Sequence, residues 1–293
     1  MRKVAVVTDS LSCLTRELVS QYRIGIIPIN FYADGKVYRD WVDVTPSEAY
    51  QLFQKDPESF KSSAAPPEDV IKVYRESSKL AKNILCVTVS SKLSTTYNVA
   101  LGAAERAKTE LTGIHIEVLD SHTATPAEGF VALAAARAAE EGKELSEVIK
   151  AAETVQNKVS CSILLDTIRY VYRSGRIPKV AAHAASMLNI RPILTVTSGV
   201  VRFSGAVRSR SHGIERVLNT MRDRVKDNPV HVAVVHAYAL EEAKKLKERV
   251  AAEFHCVELL LTEMSPLMGY ACGTGTLGLA YYPESGPPSS PNS

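Results

Sequence analysis

ILCVTVSSKLSTTY, residues 84–97, decides the fold. Ile84 to Val89 run apolar and β-branched without the alternation of a half-exposed strand, as a strand covered on both faces does. Then the composition turns over: Ser90, Ser91, Ser94, Thr95 and Thr96 put five hydroxyls into seven positions as a helix begins. Strand, polar loop and helix form the repeating unit of a parallel α/β sheet. A helix N-terminus holds unpaired backbone N–H groups and the positive end of a dipole, so this junction suits a carboxylate or a phosphate. Capping by Ser94 accounts for one hydroxyl. The others are more than a cap needs.

Working outward, KVAVV (3–7) and IEVLD (116–120) are two more such runs, ending in Thr8-Asp9-Ser10 and Asp120-Ser121-His122-Thr123. Each ending, alone, reads as a turn or cap. Parallel strands bring all three to one rim, the carboxyl edge where α/β sheets bind ligands. Ser62 and Ser63 precede Pro66-Pro67, a pair suited to the first turn of a helix. Helices are expected near Thr15 to Tyr22, after Ser94, at 127–141 and at 145–156, and Asp34-Gly35 marks a hairpin. From Val159 the style changes: VSCSILL, a helix, the strand pair IRPILTVTSG and VVRFSG meeting at Ser198-Gly199, a helix, HVAVVHA, a charged helix, VELLLTE and TLGLAYY. The expected fold is α/β in two domains. Residues 1–157 form a mostly parallel, doubly wound sheet and 158–283 a second α/β unit; a Pro-, Gly- and Ser-rich tail, 284–293, is expected to be disordered.

Composition narrows the function. The chain has 293 residues, 45% hydrophobic and 23% charged, with a net charge of +3. That is ordinary for a soluble globular protein, and the surplus is too small to point to nucleic acid, though it permits a transient encounter with anionic lipid. Five scattered cysteines without CxxC spacing suggest free thiols in a reducing compartment. The N-terminal apolar run is too short for a signal peptide or a membrane span. Cytoplasm is the expected location. No GxSxG, HExxH or P-loop occurs, the histidines have no metal spacing, and His236 reads as structural, so neither a catalytic residue nor a metal is expected. Gly273-Thr274-Gly275-Thr276-Leu277-Gly278 matches GxGxxG in form, but too little chain follows for a dinucleotide fold; close backbone approach to a ligand is the better account. Arg169, Arg173 and Arg176 fall on one helix face. With Arg202, Arg208 and Arg210 they favour an acidic ligand or partner.

These residues resemble the DegV family. The match runs from Val4 to about Tyr282 through TDS (8–10), KSS (61–63), SSKLSTTY (90–97), LDSHT (119–123), RSGRI (173–177), NIRPIL (189–194), VRSR (207–210), VVHA (234–237) and GTGTLGL (273–279), in order. The resemblance implies two α/β domains with a long-chain fatty acid in an apolar tunnel between them, and no cofactor. It implies a non-catalytic subunit that presents the acyl carboxylate to a fatty acid kinase. Carried onto this sequence, the carboxylate meets Ser62, where the family often has Thr, and Ser94, with Thr95 and Thr96 beside it. Thr95 stands where the family usually has Gly. Arg208 matches an arginine near the ligand mouth associated with the kinase. Ala271 stands where the family commonly has a His of the carboxylate network, and an Ala donates no hydrogen bond. An enzyme acting on an acyl or phosphorylated small molecule at the same loops, and a binder of another anionic lipid, are the alternatives.

Overall fold

The computed structural model describes residues 2–170, 175–176 and 190–284. β1 (Val4–Asp9) leads through a 3₁₀ turn (Ser10–Ser12) to α1 (Arg16–Tyr22) and β2 (Gly25–Ile27). Every β1 residue is buried, as its unbroken apolar run requires. α1 starts where the Thr15 side chain accepts the Leu18 N–H, and β2 stops at Pro28, which has no N–H for the ladder. β3 (Asn30–Ala33) and β4 (Lys36–Arg39) form the expected hairpin, with Asp34 and Gly35 at φ 49° and 75°. α2 (Pro46–Lys55) follows, and β5 (Lys61–Ser63) pairs with β3, so Ser62 sits in a strand. Then come α3 (Pro67–Ser78), β6 (Asn83–Thr88), α4 (Thr96–Glu110), β7 (His115–Asp120), α5 (Pro126–Glu140) and α6 (Leu145–Gln156). One sheet, ordered β2-β1-β6-β7, is parallel throughout.

The second half comprises β8 (Ser160–Leu164), β9 (Arg191–Thr197), β10 (Val200–Val207), α7 (Arg210–Val225), β11 (Val230–His236), α8 (Leu240–Glu253), β12 (Cys256–Glu263), α9 (Pro266–Cys272) and β13 (Leu277–Pro283). Its sheet is ordered β10-β9-β8-β13-β11-β12, with β11 and β12 parallel and the other pairs antiparallel. The expected turn between β9 and β10 is there, Ser198 and Gly199 both having positive φ. Where a helix was expected after β8, residues 166–170 form bends and turns, so Arg169 is not on a helix; Arg173 lies outside the described residues. Of the tail expected at 284–293, one residue is described. Glu284 is still held, its N–H donating to the Pro229 carbonyl at 2.9 Å, and 285–293 lie outside the described residues.

α5 joins the halves. It lies between the two sheets with 12 of its 15 residues buried. One hydrophobic cluster runs through it from Val4, Val6 and Leu85 of the parallel sheet to Ala233, Val235 and Tyr282 of the mixed sheet. Small side chains permit that approach: a Cβ on Gly129 would lie 2.5 Å from the Ser12 carbonyl oxygen. Helices α2, α3 and α4 belong to a second cluster with the parallel sheet, and α7 and α8 to a third with the mixed sheet. Among the described residues no helix is long and apolar enough to cross a membrane.

Candidate functional site

A cavity of about 1060 Å³, its open mouth included, lies at the carboxyl ends of β1, β6 and β7, where Leu11, Val89 and Ala124 line it. The second half closes it with Ile163 of β8, Leu194 and Val196 of β9, Val201 of β10, and Met264, Leu267 and Met268 at the start of α9. The wall is mostly apolar with a few polar groups, the usual make-up of a small-molecule site.

Of the residues singled out in the sequence, Ser62, Ser94, Thr95 and Ala271 line this one cavity. Thr96 does not. It is buried behind Ser94, its hydroxyl 2.8 Å from Ser94 Oγ and its N–H donating to the same oxygen at 3.2 Å. Ser94 Oγ accepts the Thr96 N–H, and its own O–H has the Thr96 hydroxyl and the cavity within reach. α4 begins at Thr96 with Thr95 as its N-cap residue and no side-chain cap, which leaves N–H groups of its first turn open. The Ser62 hydroxyl makes no hydrogen bond among the described residues.

The arginines sort differently from expectation. Arg208 is exposed and outside the lining; its carbonyl accepts from Arg191 at 3.1 Å. Arg210 donates to Asp166 at 2.8 Å and to the Gly275 carbonyl at 3.0 Å, and Arg191 also holds Asp166, at 3.0 Å. Those two fasten a loop. Arg176 lines the cavity, exposed, its Nε donating to the Leu93 carbonyl at 3.3 Å. The glycine loop also differs: a Cβ on Gly273 would meet Tyr170 at 2.5 Å and one on Gly275 would meet Asp166 at 3.0 Å. The close approach there is to the 166–170 turn, and neither glycine lines the cavity.

Buried polar groups hold the lining in place. Asp9 accepts the Leu11 and Val89 N–H groups, both at 2.9 Å, tying the end of β1 to the end of β6. Burial pushes its carboxyl up to about 6, against the pull of those bonds, and holds neighbouring Glu128 well above the usual carboxylate range. Asp40, also raised to about 6 by burial, accepts from Ser265 Oγ at 2.6 Å, and Tyr50 donates to the Met264 carbonyl at 2.9 Å. Together they anchor the start of α9. No helix was expected at α9, although Ala271 lies in it; its Ser265-Pro266 start is the signal that was there to use. His236 is buried, accepts from the Ala239 N–H at 3.3 Å and is lowered to about 4 by burial, the structural role expected of it. Among the described residues no group of His, Cys, Asp and Glu is placed to hold a metal.

The model of the DegV family, described as an uncharacterised protein, matches residues 3–284. The chain belongs to the DegV family. A DegV domain-containing protein of Clostridium acetobutylicum is 30% identical over 282 residues, 96% of this chain and 98% of that protein. Among solved structures, a DegV family protein from Thermus thermophilus, described by its fatty acid binding, is 28% identical with a TM-score of 0.85, covering 96% of this chain and 99% of its own. DegV of Bacillus subtilis, described as a fatty acid binding protein, is 27% identical with the same TM-score of 0.85, covering 97% and 100%. The two-domain α/β architecture of this chain is thus that of solved DegV structures.

Proposed function

We propose that this DegV chain binds a long-chain fatty acid in the cavity described above and presents its carboxylate to a fatty acid kinase. The composition of that cavity carries the reading: an apolar wall drawn from both halves meets the Ser62 hydroxyl and, at the N-terminus of α4, those of Ser94 and Thr95. Each buried CH₂ of an acyl chain contributes roughly 0.8 kcal/mol, so a long chain offsets the cost of association. A carboxylate buried bare is costly. Ser62, Ser94 and the open N–H groups of α4 supply donors, and Arg176 supplies a cation at the rim. Two solved relatives described as fatty acid binders support the same ligand class. Ala271 contributes no donor, so the head group relies on the hydroxyls.

In this reading residues 1–157 and 158–283 are the two domains around the acyl chain. Exposed Arg208 contacts the kinase rather than the ligand. The chain does no chemistry of its own and works in the cytoplasm, with at most a transient membrane contact while loading. Delipidated protein titrated with palmitate tests it: saturable binding is expected, weakened roughly tenfold or more in Ser94→Ala, the usual worth of a hydrogen bond to a charged group. Binding unchanged in that variant removes Ser94 from the head-group site. Turnover of an acyl or phosphorylated compound by the isolated chain, abolished in the same variant, puts an enzyme in the binder's place.

A further inference from the structure

A second cavity, about 1160 Å³ with its mouth included, shares strand β9 with the first: Thr195 and Val196 line both. Its chemistry is the reverse of its neighbour's. Lys92 from the loop before α4, His122 from the loop before α5, and Arg224 and Thr220 of α7 line it, along with Ser160 and Ser162 of β8. No Asp or Glu is among the described lining residues.

Lys92 and Arg224 form no salt bridge among the described residues. Lys92 donates to the Ser198 carbonyl at 2.9 Å, which fixes its ammonium at the rim and leaves two of its three donors. Arg222 on the same helix is paired with Glu253 at 2.8 Å, whereas Arg224 meets no carboxylate among the described residues. The nearby carboxylate, Asp120, already accepts the N–H groups of Ser91 at 3.2 Å and His122 at 2.9 Å. Its Oδ2 also lies 3.6 Å from His122 Nδ1. Ser160 and Ser162 stand beside the buried Tyr281 phenol in the cavity wall. A guanidinium fork and an ammonium, with hydroxyls beside them and no acid in the described lining, are the donor set of a phosphate group.

We propose that this cavity binds a phosphate-bearing small molecule between Lys92 and Arg224, and that its occupancy is coupled to the acyl cavity. The coupling follows from shared elements. Lys92 lies in the loop that carries Ser94 and Thr95, and Thr123 adjoins Ala124 and Thr125, which line the first cavity. The two loops are joined by the Ser90 N–H donating to the Thr123 carbonyl at 2.8 Å, and Ser90 Oγ donates to the Gly199 carbonyl at 2.9 Å. Such a coupling is reciprocal: each ligand changes the other's affinity by the same factor.

The test is calorimetric titration of the full chain with inorganic phosphate and with glycerol phosphate, at constant ionic strength set by chloride. Saturable binding of at least one probe is expected. It should be weakened roughly tenfold or more in Lys92→Gln/Arg224→Gln and retained in Ser94→Ala. Tighter binding of the ester identifies an organic phosphate as the occupant, and tighter binding of the inorganic ion identifies free phosphate. Both lysine and arginine are exposed, so the double variant is expected to fold, and its melting curve checks that. The proposal is overturned if neither probe saturates, or if the double variant binds as the parent does. Loss of binding in Ser94→Ala alone also overturns it, since the anion then sits in the first cavity. Its failure leaves the fatty acid reading intact, because palmitate binding is measured separately.

Discussion

Asp9 never enters the cavity, yet it sets two of the lining positions, because its two oxygens are what the Leu11 and Val89 N–H groups have in place of a ladder partner. Asp9→Ala leaves both donors buried and unpaired. The expected loss is about 1–3 kcal/mol of stability in urea denaturation, accompanied by weaker palmitate binding; an unchanged midpoint contradicts that role. The Thr8-Asp9-Ser10 motif was legible as a cap, which it is, but its tie to Val89 depends on two strands being neighbours and is written in neither. His236 makes a pH prediction. The folded protein keeps it neutral down to about 4, while the unfolded chain protonates it near 6.5. Between those values the unfolded state binds more protons, so this histidine's contribution to stability is lost as pH falls. His236→Asn keeps an acceptor for Ala239 and does not titrate. The stability difference between parent and variant should therefore narrow from pH 7 to pH 4, and a difference independent of pH contradicts the assignment.

At the scale of elements, α5 decides how closely the sheets approach. Gly129→Ala would gain about 1 kcal/mol of helix propensity on an exposed helix. Here the added Cβ meets the Ser12 carbonyl at 2.5 Å, so backbone must move and a net loss of about 1–3 kcal/mol is expected. A thermal melt that rises shows that the contact yields freely. Which elements were legible follows from where their signals lie. α1, α5 and α6 carry either a cap or a long apolar face, and they were expected within a residue or two of where they stand. α2 was missed because only Ala49, Tyr50 and Phe53 of its ten residues are buried; its signature is the Thr45 and Glu48 capping box. α9 was missed because seven residues are too few to show a period, and it is held by Asp40 and Tyr50 from distant segments.

In the whole molecule, three strands of the parallel sheet and those of the mixed sheet were legible, and so was the gathering of hydroxyl loops on one rim, because parallel strands must align their ends. The sorting of the arginines was not. Arg176 reaches the cavity, Arg208 stays outside it, and Arg210 is paired with Asp166 within the second half, contacts between segments distant in sequence. The glycine loop likewise looked made for a ligand, and instead it admits Tyr170 and Asp166. The central claim is that an apolar chain with a carboxylate head occupies the space between the halves. The most direct test is mass spectrometry of an organic extract of the purified protein, followed by re-addition of fatty acid to the stripped chain. A long-chain fatty acid near one per chain is expected in the extract, with saturable uptake afterwards. An empty extract from protein that also fails to take up added fatty acid contradicts it.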